Sequence, residues 1–140
     1  MLYTESDRIQ YGCVFATLLL WVVSLVPLYL ARRSSEGIYY HEAPRMQYAS
    51  VDAARARLLG VHENSFEAFV LFALAILFNR AGLGSHVATD VLSIVVVISR
   101  ALYMVVYLLN LSALRTIIWT IGMLATLVIY VLPLSTHYST

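Results

Sequence analysis

The chain has 140 residues, of which 61% are hydrophobic and 12% are charged, and its formal net charge is +1. Soluble domains carry about twice that charged share, roughly 25%. The composition therefore excludes a disordered chain, a nucleic-acid-binding protein and an ordinary soluble domain. It is typical of a protein that crosses a membrane several times. At roughly 20 residues per crossing, the chain has room for four helices and short loops.

Charged residues mark the ends of four apolar stretches. The predicted spans are 9–31, 58–79, 86–111 and 116–134. The acidic leader and the length of the first apolar run favour a membrane span over a signal peptide. The predicted loop 34–56 is the only polar stretch of any length, and short turns join the other spans.

The arginines are distributed unevenly between the two sides of the predicted spans. Residues 32–57 carry five of them and the third connection carries Arg115, whereas the opposite side has only Arg8 and Arg80. By the positive-inside rule, we expect loops one and three in the cytoplasm and both termini outside. Short connections predict antiparallel neighbours. The expected fold is an all-α integral membrane protein, a four-helix up-down bundle.

Cysteine and histidine provide no metal site in this sequence. Cys13 is the only cysteine, which excludes a disulfide framework within the chain and a zinc site of several cysteines. No two of the four histidines have a spacing that places them on one helical face. We therefore expect no metal.

The second and third spans contain polar side chains that lipid disfavours. An ionisable group at mid-span costs about 2.5–3.5 kcal/mol on insertion scales, so such groups are expected to face the bundle interior and to be paired. At about 100° per residue, Arg57, Asn64 and Glu67 share one face of the second helix. The shared face of the third helix carries Arg100, Tyr103, Tyr107 and Asn110.

The two polar faces are expected at matching depths. At 1.5 Å per residue, Glu67 lies about 15 Å along the axis from Arg57, and Arg100 lies about 22 Å from Arg115. We therefore predict that Glu67 and Arg100 pair at the base of a funnel open to the cytosol. Three interpretations follow: structural bonds between helices, a site for a small anionic molecule, and a small proton- or ion-coupled transporter.

The same residues resemble the signatures of a known family. The run 62–67, His-Glu-Asn-Ser-Phe-Glu, preceded by Arg55 and Arg57, is similar to the R…(H/Q)-x-N-x-x-E signature of the MAPEG family, the membrane-associated proteins of eicosanoid and glutathione metabolism. The family's second signature, R-x-x-Y-x-x-x-Y…R, is matched by Arg100, Tyr103, Tyr107 and Arg115. The resemblance covers nearly the whole chain. Within the family, the chain is similar to a branch of small bacterial members.

The resemblance implies a function and a set of site residues. It implies a homotrimer in a bacterial inner membrane that binds glutathione between subunits, without metal, and acts on hydrophobic electrophiles or lipid hydroperoxides as a transferase or peroxidase. The glutathione-binding residues would be Arg57, Asn64, Glu67, Arg100, Tyr103 and Tyr107. Arg115 would lie by the sulfur, where a cation stabilises the nucleophilic thiolate, with Tyr103 and Tyr107 as neighbouring donors. Residues expected at the mouth of the site are Arg32, Arg33 and Arg55.

Two positions depart from the family pattern. Catalytic members usually carry an arginine two residues before the His/Gln position, and this chain has Gly60 there. The gap between Tyr107 and Arg115 is one residue longer than in the leukotriene-type members. The family also includes the lipoxygenase-activating protein, which binds lipid without catalysis. The alternative function is therefore that of a non-catalytic protein that binds a lipid or a partner protein.

Overall fold

The computed structural model describes residues 5–33, 53–82 and 86–136. These residues form four helices: α1 (Glu5–Arg33), α2 (Ala53–Ala81), α3 (His86–Leu108) and α4 (Ser112–Thr136). All four are long and apolar enough to cross a membrane, as the composition predicts. Most of the predicted first loop, from residue 34 to 52, and residues 83–85 of the predicted turn lie outside the described residues.

Three of the four helices extend past the predicted spans at both ends. α1 begins at Glu5, and the acidic side chains Glu5 and Asp7 lie in its first turn. Negative side chains at this position interact favourably with the positive end of the helix dipole. α1 and α4 also continue through Pro27 and Pro133. Charged residues therefore mark the edge of the apolar stretch, and the backbone hydrogen bonds of the helices continue beyond that edge.

The third helix ends earlier than predicted. It stops at Leu108, not at residue 111, and Asn110 has a φ of 60°. The Leu111 N–H donates to the Val106 carbonyl at 3.2 Å, and the Asn110 N–H donates to the Tyr107 carbonyl at 3.1 Å. These two bonds with a left-handed residue form a Schellman C-cap, in which asparagine is tolerated. Asn110 therefore belongs to the α3–α4 turn, and its placement on the polar face of α3 was wrong.

Side-chain contacts show that consecutive helices are antiparallel. Asp7 at the start of α1 pairs with Arg80 at the end of α2, and Arg100 late in α3 bonds to Asn64 early in α2. The four-helix bundle expected from the sequence is confirmed. In the part of the chain that the structure describes, α1 contacts α2 and α3, and α4 contacts the same two helices without touching α1.

The apolar core of the bundle is centred on α2. Its buried members come from three helices: Phe72, Ala75 and Ile76 from α2, Val96 from α3, and Ala125 and Ile129 from α4. Many large apolar side chains, such as Phe15, Leu77 and Val91, are exposed on the outside of the bundle. A surface this apolar marks contact with lipid or with another protein chain.

Polar side chains join the helices at the end of the bundle where α1 begins. Ser6 and the Gln10 amide each donate to the Asp90 carboxylate at 2.7 Å, and Asp7 pairs with Arg80. We call these five residues the carboxylate cluster. Both of its carboxylates have partners within the chain, so the cluster holds α1 against α2 and α3.

A buried asparagine next to this cluster links three helices. The Asn79 amide donates to the Ile129 carbonyl at 3.1 Å, and the Thr89 hydroxyl donates to the Asn79 side-chain oxygen at 3.1 Å. Hydrogen bonds of this kind between membrane helices contribute about 0.6 kcal/mol each. Asn79 therefore connects α2, α3 and α4 between the core and the carboxylate cluster.

Candidate functional site

The candidate site is built around a buried guanidinium on α3. Arg100 is only 7% exposed, and its Nη1 donates to the Asn64 side-chain oxygen on α2 at 3.1 Å. Its Nε is buried and has no hydrogen-bond partner within the described residues. No carboxylate of the described chain forms an ion pair with Arg100. A positive charge is therefore held inside the bundle by a neutral amide.

The predicted ion pair between Glu67 and Arg100 does not form. Glu67 is exposed and lines a different cavity, between α1 and α2. Three helical residues span a rotation of about 300°, so Asn64 and Glu67 differ by about 60° in direction. That rotation is enough for Asn64 to meet α3 while Glu67 turns outward.

Two tyrosines connect Arg100 with a second arginine at the start of α4. The guanidinium carbon of Arg100 lies 5.9 Å from the ring centre of Tyr103. The rings of Tyr103 and Tyr107 meet edge to face, with centres 5.5 Å apart. The guanidinium carbon of Arg115 lies 4.6 Å from the ring centre of Tyr107, within cation–π range. We call these four residues and Asn64 the guanidinium cluster.

The guanidinium cluster borders a cavity of about 340 Å³ between three helices. Its lining residues are Gly60 and Asn64 from α2, Tyr103 and Tyr107 from α3, and Arg115, Thr116 and Trp119 from α4. The volume lies at the lower end of the range for small-molecule sites. With one guanidinium in its wall and another bonded to a wall residue, the cavity favours an anionic ligand.

The α3–α4 turn brings Arg115 back to Tyr107. The left-handed Asn110 reverses the chain directly after α3, and the Arg115 N–H donates to the Leu111 carbonyl at 3.0 Å in the first turn of α4. The residue spacing that departs from the leukotriene-type pattern therefore brings Arg115 to the cavity through a compact local turn.

Gly60 lies where the cavity wall meets Tyr107. A Cβ atom added to Gly60 would lie 2.6 Å from the Tyr107 hydroxyl oxygen and 3.4 Å from the ring carbon that bears it. The hydroxyl therefore occupies the space where a side chain at position 60 would begin. The structure thus gives a local reason for glycine at the position where catalytic relatives usually have arginine.

The remaining predicted site residues are not brought into this cavity. Arg55 and Arg57 lie on the first turns of α2 and are half-buried, and neither lines the 340 Å³ cavity. Arg32 and Arg33 end α1, but their side chains lie outside the described part of the structure. Their expected role at the mouth of the site stays a prediction.

A second, larger cavity of about 710 Å³ lies between α1 and α2. It is lined by Trp21, Leu25 and Leu28 from α1 and by Leu59, His62, Glu63, Phe66 and Glu67 from α2. His62 stacks on Trp21 with ring centres 5.6 Å apart, and its Nδ1 lies 2.8 Å from the Ser24 hydroxyl oxygen.

Sequence analysis assigned no role to Glu63 or Trp21 in this second cavity. The available signal was the spacing of Glu63 and Glu67, which are one helical turn apart and therefore share a face. Both carboxylates are exposed. No group of three or more histidine, cysteine, aspartate or glutamate side chains that could hold a metal occurs among the described residues.

Comparison with known protein families identifies the chain. The model of the MAPEG family matches residues 11–135. The chain belongs to the MAPEG family. No curated protein and no solved structure matches it. Family membership and the four apolar helices establish a multi-pass membrane protein. The MAPEG family includes glutathione transferases and peroxidases as well as members without catalysis.

Proposed function

We propose that this MAPEG protein is a glutathione-dependent membrane transferase or peroxidase that acts on hydrophobic electrophiles or lipid hydroperoxides. The observation that carries the proposal is the guanidinium cluster. Arg115 lines the cavity, Arg100 is bonded to the cavity residue Asn64, and neither has a carboxylate partner in residues 5–33, 53–82 and 86–136. Glutathione has two carboxylates and a thiol that becomes anionic. Its negative charges can therefore pair with the two guanidinium groups at this cavity.

The proposed binding mode assigns each charged group of glutathione to a side chain. Arg100 and Arg57 attract the carboxylates, and Tyr103 and Tyr107 donate hydrogen bonds beside them. Glu67 receives the ammonium group, which suits an exposed carboxylate on the same helix as Asn64. Because Glu67 faces outward from its own subunit, we propose that the ligand lies between subunits of a homotrimer.

Arg115 is the proposed activator of the thiol. A guanidinium beside the sulfur stabilises the thiolate, which is the nucleophile. In conjugation, the sulfur attacks an electrophilic carbon, an S–C bond forms, and the displaced group leaves with the bonding electron pair. In peroxide reduction, the sulfur attacks the terminal oxygen, the O–O bond breaks, and the alkoxide takes a proton to become an alcohol. The resulting sulfenic acid condenses with a second glutathione to give the disulfide and water.

The exposed apolar surface supports entry of the hydrophobic substrate from the bilayer. α1 and α4 do not touch each other within the described residues, so each offers a face to a neighbouring subunit. We propose that the substrate reaches the sulfur between α1 of one subunit and α4 of the next. The proposed location is a bacterial inner membrane, with loops one and three in the cytoplasm and both termini outside.

The test uses purified protein in detergent, titrated with glutathione. We expect saturable binding by calorimetry and the ultraviolet absorbance of a bound thiolate. Arg115→Ala is expected to reduce the thiolate absorbance by at least tenfold, because the cation that stabilises the sulfur is lost. The control is Arg8→Ala, which removes an exposed arginine from the start of α1.

The titration tests the proposed function and the role of Arg115 separately. Absence of saturable glutathione binding contradicts the proposed function as a whole. Binding with a thiolate signal that Arg115→Ala leaves unchanged contradicts the role of Arg115. Mass measurement of the intact complex with glutathione counts subunits and ligands together and tests the trimer.

The second candidate is a non-catalytic member that binds a lipid or a partner protein. Two observations favour it: Gly60 replaces a cation of the catalytic pattern, and the 710 Å³ cavity has a largely aromatic and aliphatic lining. This candidate predicts a bound lipid or protein in the intact mass spectrum and no thiolate absorbance when glutathione is added.

A further inference from the structure

We propose that Gly60 is a positioning residue that acts through Tyr107 on Arg115. It lets the Tyr107 hydroxyl rest against the backbone of α2, and the tyrosine ring in turn holds the Arg115 guanidinium at the cavity. The consequence for thiolate formation rests on the proposed function, whereas the packing of Gly60 against Tyr107 does not.

The close approach at Gly60 is the first step of the argument. A Cβ atom essentially never lies within 3.0 Å of a heavy atom on another helix, whereas a Cβ at position 60 would lie 2.6 Å from the Tyr107 oxygen. Any residue other than glycine therefore displaces the hydroxyl. The same Cβ would lie 3.4 Å from the ring carbon, so the oxygen accounts for most of the conflict.

Tyr107 is held on three sides, which makes such a displacement consequential. Its hydroxyl lies against Gly60 on α2, and its ring meets Tyr103 at 5.5 Å between ring centres. The Arg115 guanidinium lies 4.6 Å from its ring centre. A tyrosine side chain is rigid and has only two rotatable angles before the ring. Movement of its tip therefore changes the position of the ring relative to Arg115.

The position of Gly60 inside a helix supports a packing role. Glycine is a poor residue for a helix interior, and the close approach of Tyr107 gives its presence at position 60 a physical reason. Gly12 in α1 provides the contrast, because a Cβ added there meets nothing within 4 Å. The two glycines share helical backbone and differ in surroundings, so Gly12→Ala is the matched control.

The structural arm of the test needs no glutathione. Thermal unfolding in detergent is measured for Gly60→Ala, Tyr107→Phe, the double variant and Gly12→Ala. We expect Gly60→Ala to lower Tm in the wild-type background and to stop doing so in the Tyr107→Phe background, where the conflicting oxygen is gone. Gly12→Ala is expected to leave Tm unchanged or raise it. Equal losses of Tm from Gly60→Ala in both backgrounds would overturn the proposed packing.

The functional arm measures thiolate absorbance with glutathione and, separately, the affinity for S-methylglutathione, which has no ionisable thiol. We expect Gly60→Ala to lower the thiolate fraction by about tenfold, the scale of one desolvated cation–π contact. Affinity for S-methylglutathione is expected to fall less than the thiolate fraction, because Arg100 and Arg57, the proposed charge partners of the carboxylates, are untouched and only the hydrogen bond of the Tyr107 hydroxyl is displaced. The double variant should regain the thiolate level of Tyr107→Phe alone.

Failure of this inference differs from failure of the proposed function. If wild-type protein binds glutathione and Gly60→Ala forms as much thiolate as wild type, the positioning role is overturned while the proposed function stands. If wild-type protein binds no glutathione, the proposed function fails, and the Tm comparison still decides whether Gly60 positions Tyr107.

Discussion

At the end of the bundle where α1 begins, each carboxylate has a charged or hydrogen-bonding partner within the chain. In the carboxylate cluster, Asp7 pairs with Arg80, and Asp90 accepts hydrogen bonds from Ser6 and Gln10. At the other end, the arginines of the guanidinium cluster have an amide and aromatic rings as neighbours. No carboxylate in the described ranges pairs with them. One end therefore stabilises the fold, and the other keeps a charge that a ligand can neutralise.

The cost of membrane burial makes this contrast informative. An uncompensated charge at mid-span costs about 2.5–3.5 kcal/mol on insertion scales, and Arg100 is buried with one side-chain hydrogen bond to the described residues, from its Nη1 to Asn64. A fold that needed this residue only as a link between helices would be better served by an uncharged side chain. This cost supports the proposal that Arg100 binds an anionic ligand.

The largest expected effect is the loss of binding in Arg100→Met. Methionine has a similar length and no charge, so an anionic ligand loses its buried partner. We expect glutathione affinity to fall about 100-fold, or about 3 kcal/mol, the upper range for a hydrogen bond to a charged group. Calorimetric titration measures it.

Without ligand, the free energy of unfolding of Arg100→Met is expected to stay within about 1 kcal/mol of wild type, because the variant removes a buried charge as well as a hydrogen bond. Arg8→Met, an exposed change at the opposite end, serves as the control. Strong destabilisation of the ligand-free Arg100→Met protein would make Arg100 a structural residue and remove the contrast between the two clusters.

The opposite pattern is expected for Asp7→Asn in the carboxylate cluster. Removing one partner leaves Arg80 without its ion pair to Asp7. We expect the free energy of unfolding to fall by about 2 kcal/mol, below the 3–5 kcal/mol for a fully buried pair because Arg80 is partly exposed. Glutathione affinity should stay within twofold of wild type. A large loss of affinity with unchanged stability would show that this cluster also serves binding.

The smallest expected effect concerns the turn that joins the two halves of the guanidinium cluster. Asn110→Ala is expected to lower the free energy of unfolding by about 1 kcal/mol, because the left-handed conformation is costly for alanine. Asn110→Gly should match or exceed wild-type stability. Thermal unfolding of both variants tests the turn, and equal stability of the alanine and glycine variants would contradict its left-handed geometry.

The membrane fold could be predicted from the sequence because charge and length determine it directly. Apolar stretches of the right length predicted four spans, and short connections predicted antiparallel neighbours. Helical spacing also placed Arg100, Tyr103 and Tyr107 on one face of α3, and the structure brings these three side chains together.

The misplaced residues fail for two different physical reasons. Glu67 and Asn64 differ by about 60° around α2, which is within the width of a polar face, so spacing alone could not show which of them meets Arg100. Asn110 was misplaced because of the backbone: the helix ends at Leu108, before Asn110 is reached. The available signal was asparagine itself, which favours the left-handed position after a helix end.

The close packing of Gly60 could not be predicted from residue spacing. It depends on where the tip of a tyrosine from another helix comes to lie, and that follows from the distance between α2 and α3. A family comparison shows only that arginine is missing there. The structure shows which atom occupies the space.

The turn at Asn110 makes Tyr107 and Arg115 parts of one short hairpin. Their separation depends on local backbone hydrogen bonds and on the contact of Tyr107 with Gly60, and none of the described α1 residues lines the cavity that they share. If α1 detached from the bundle during heating or substrate entry, these two side chains would still face each other. The arginine proposed to act on sulfur is thus positioned by α3, α4 and the Gly60 contact on α2.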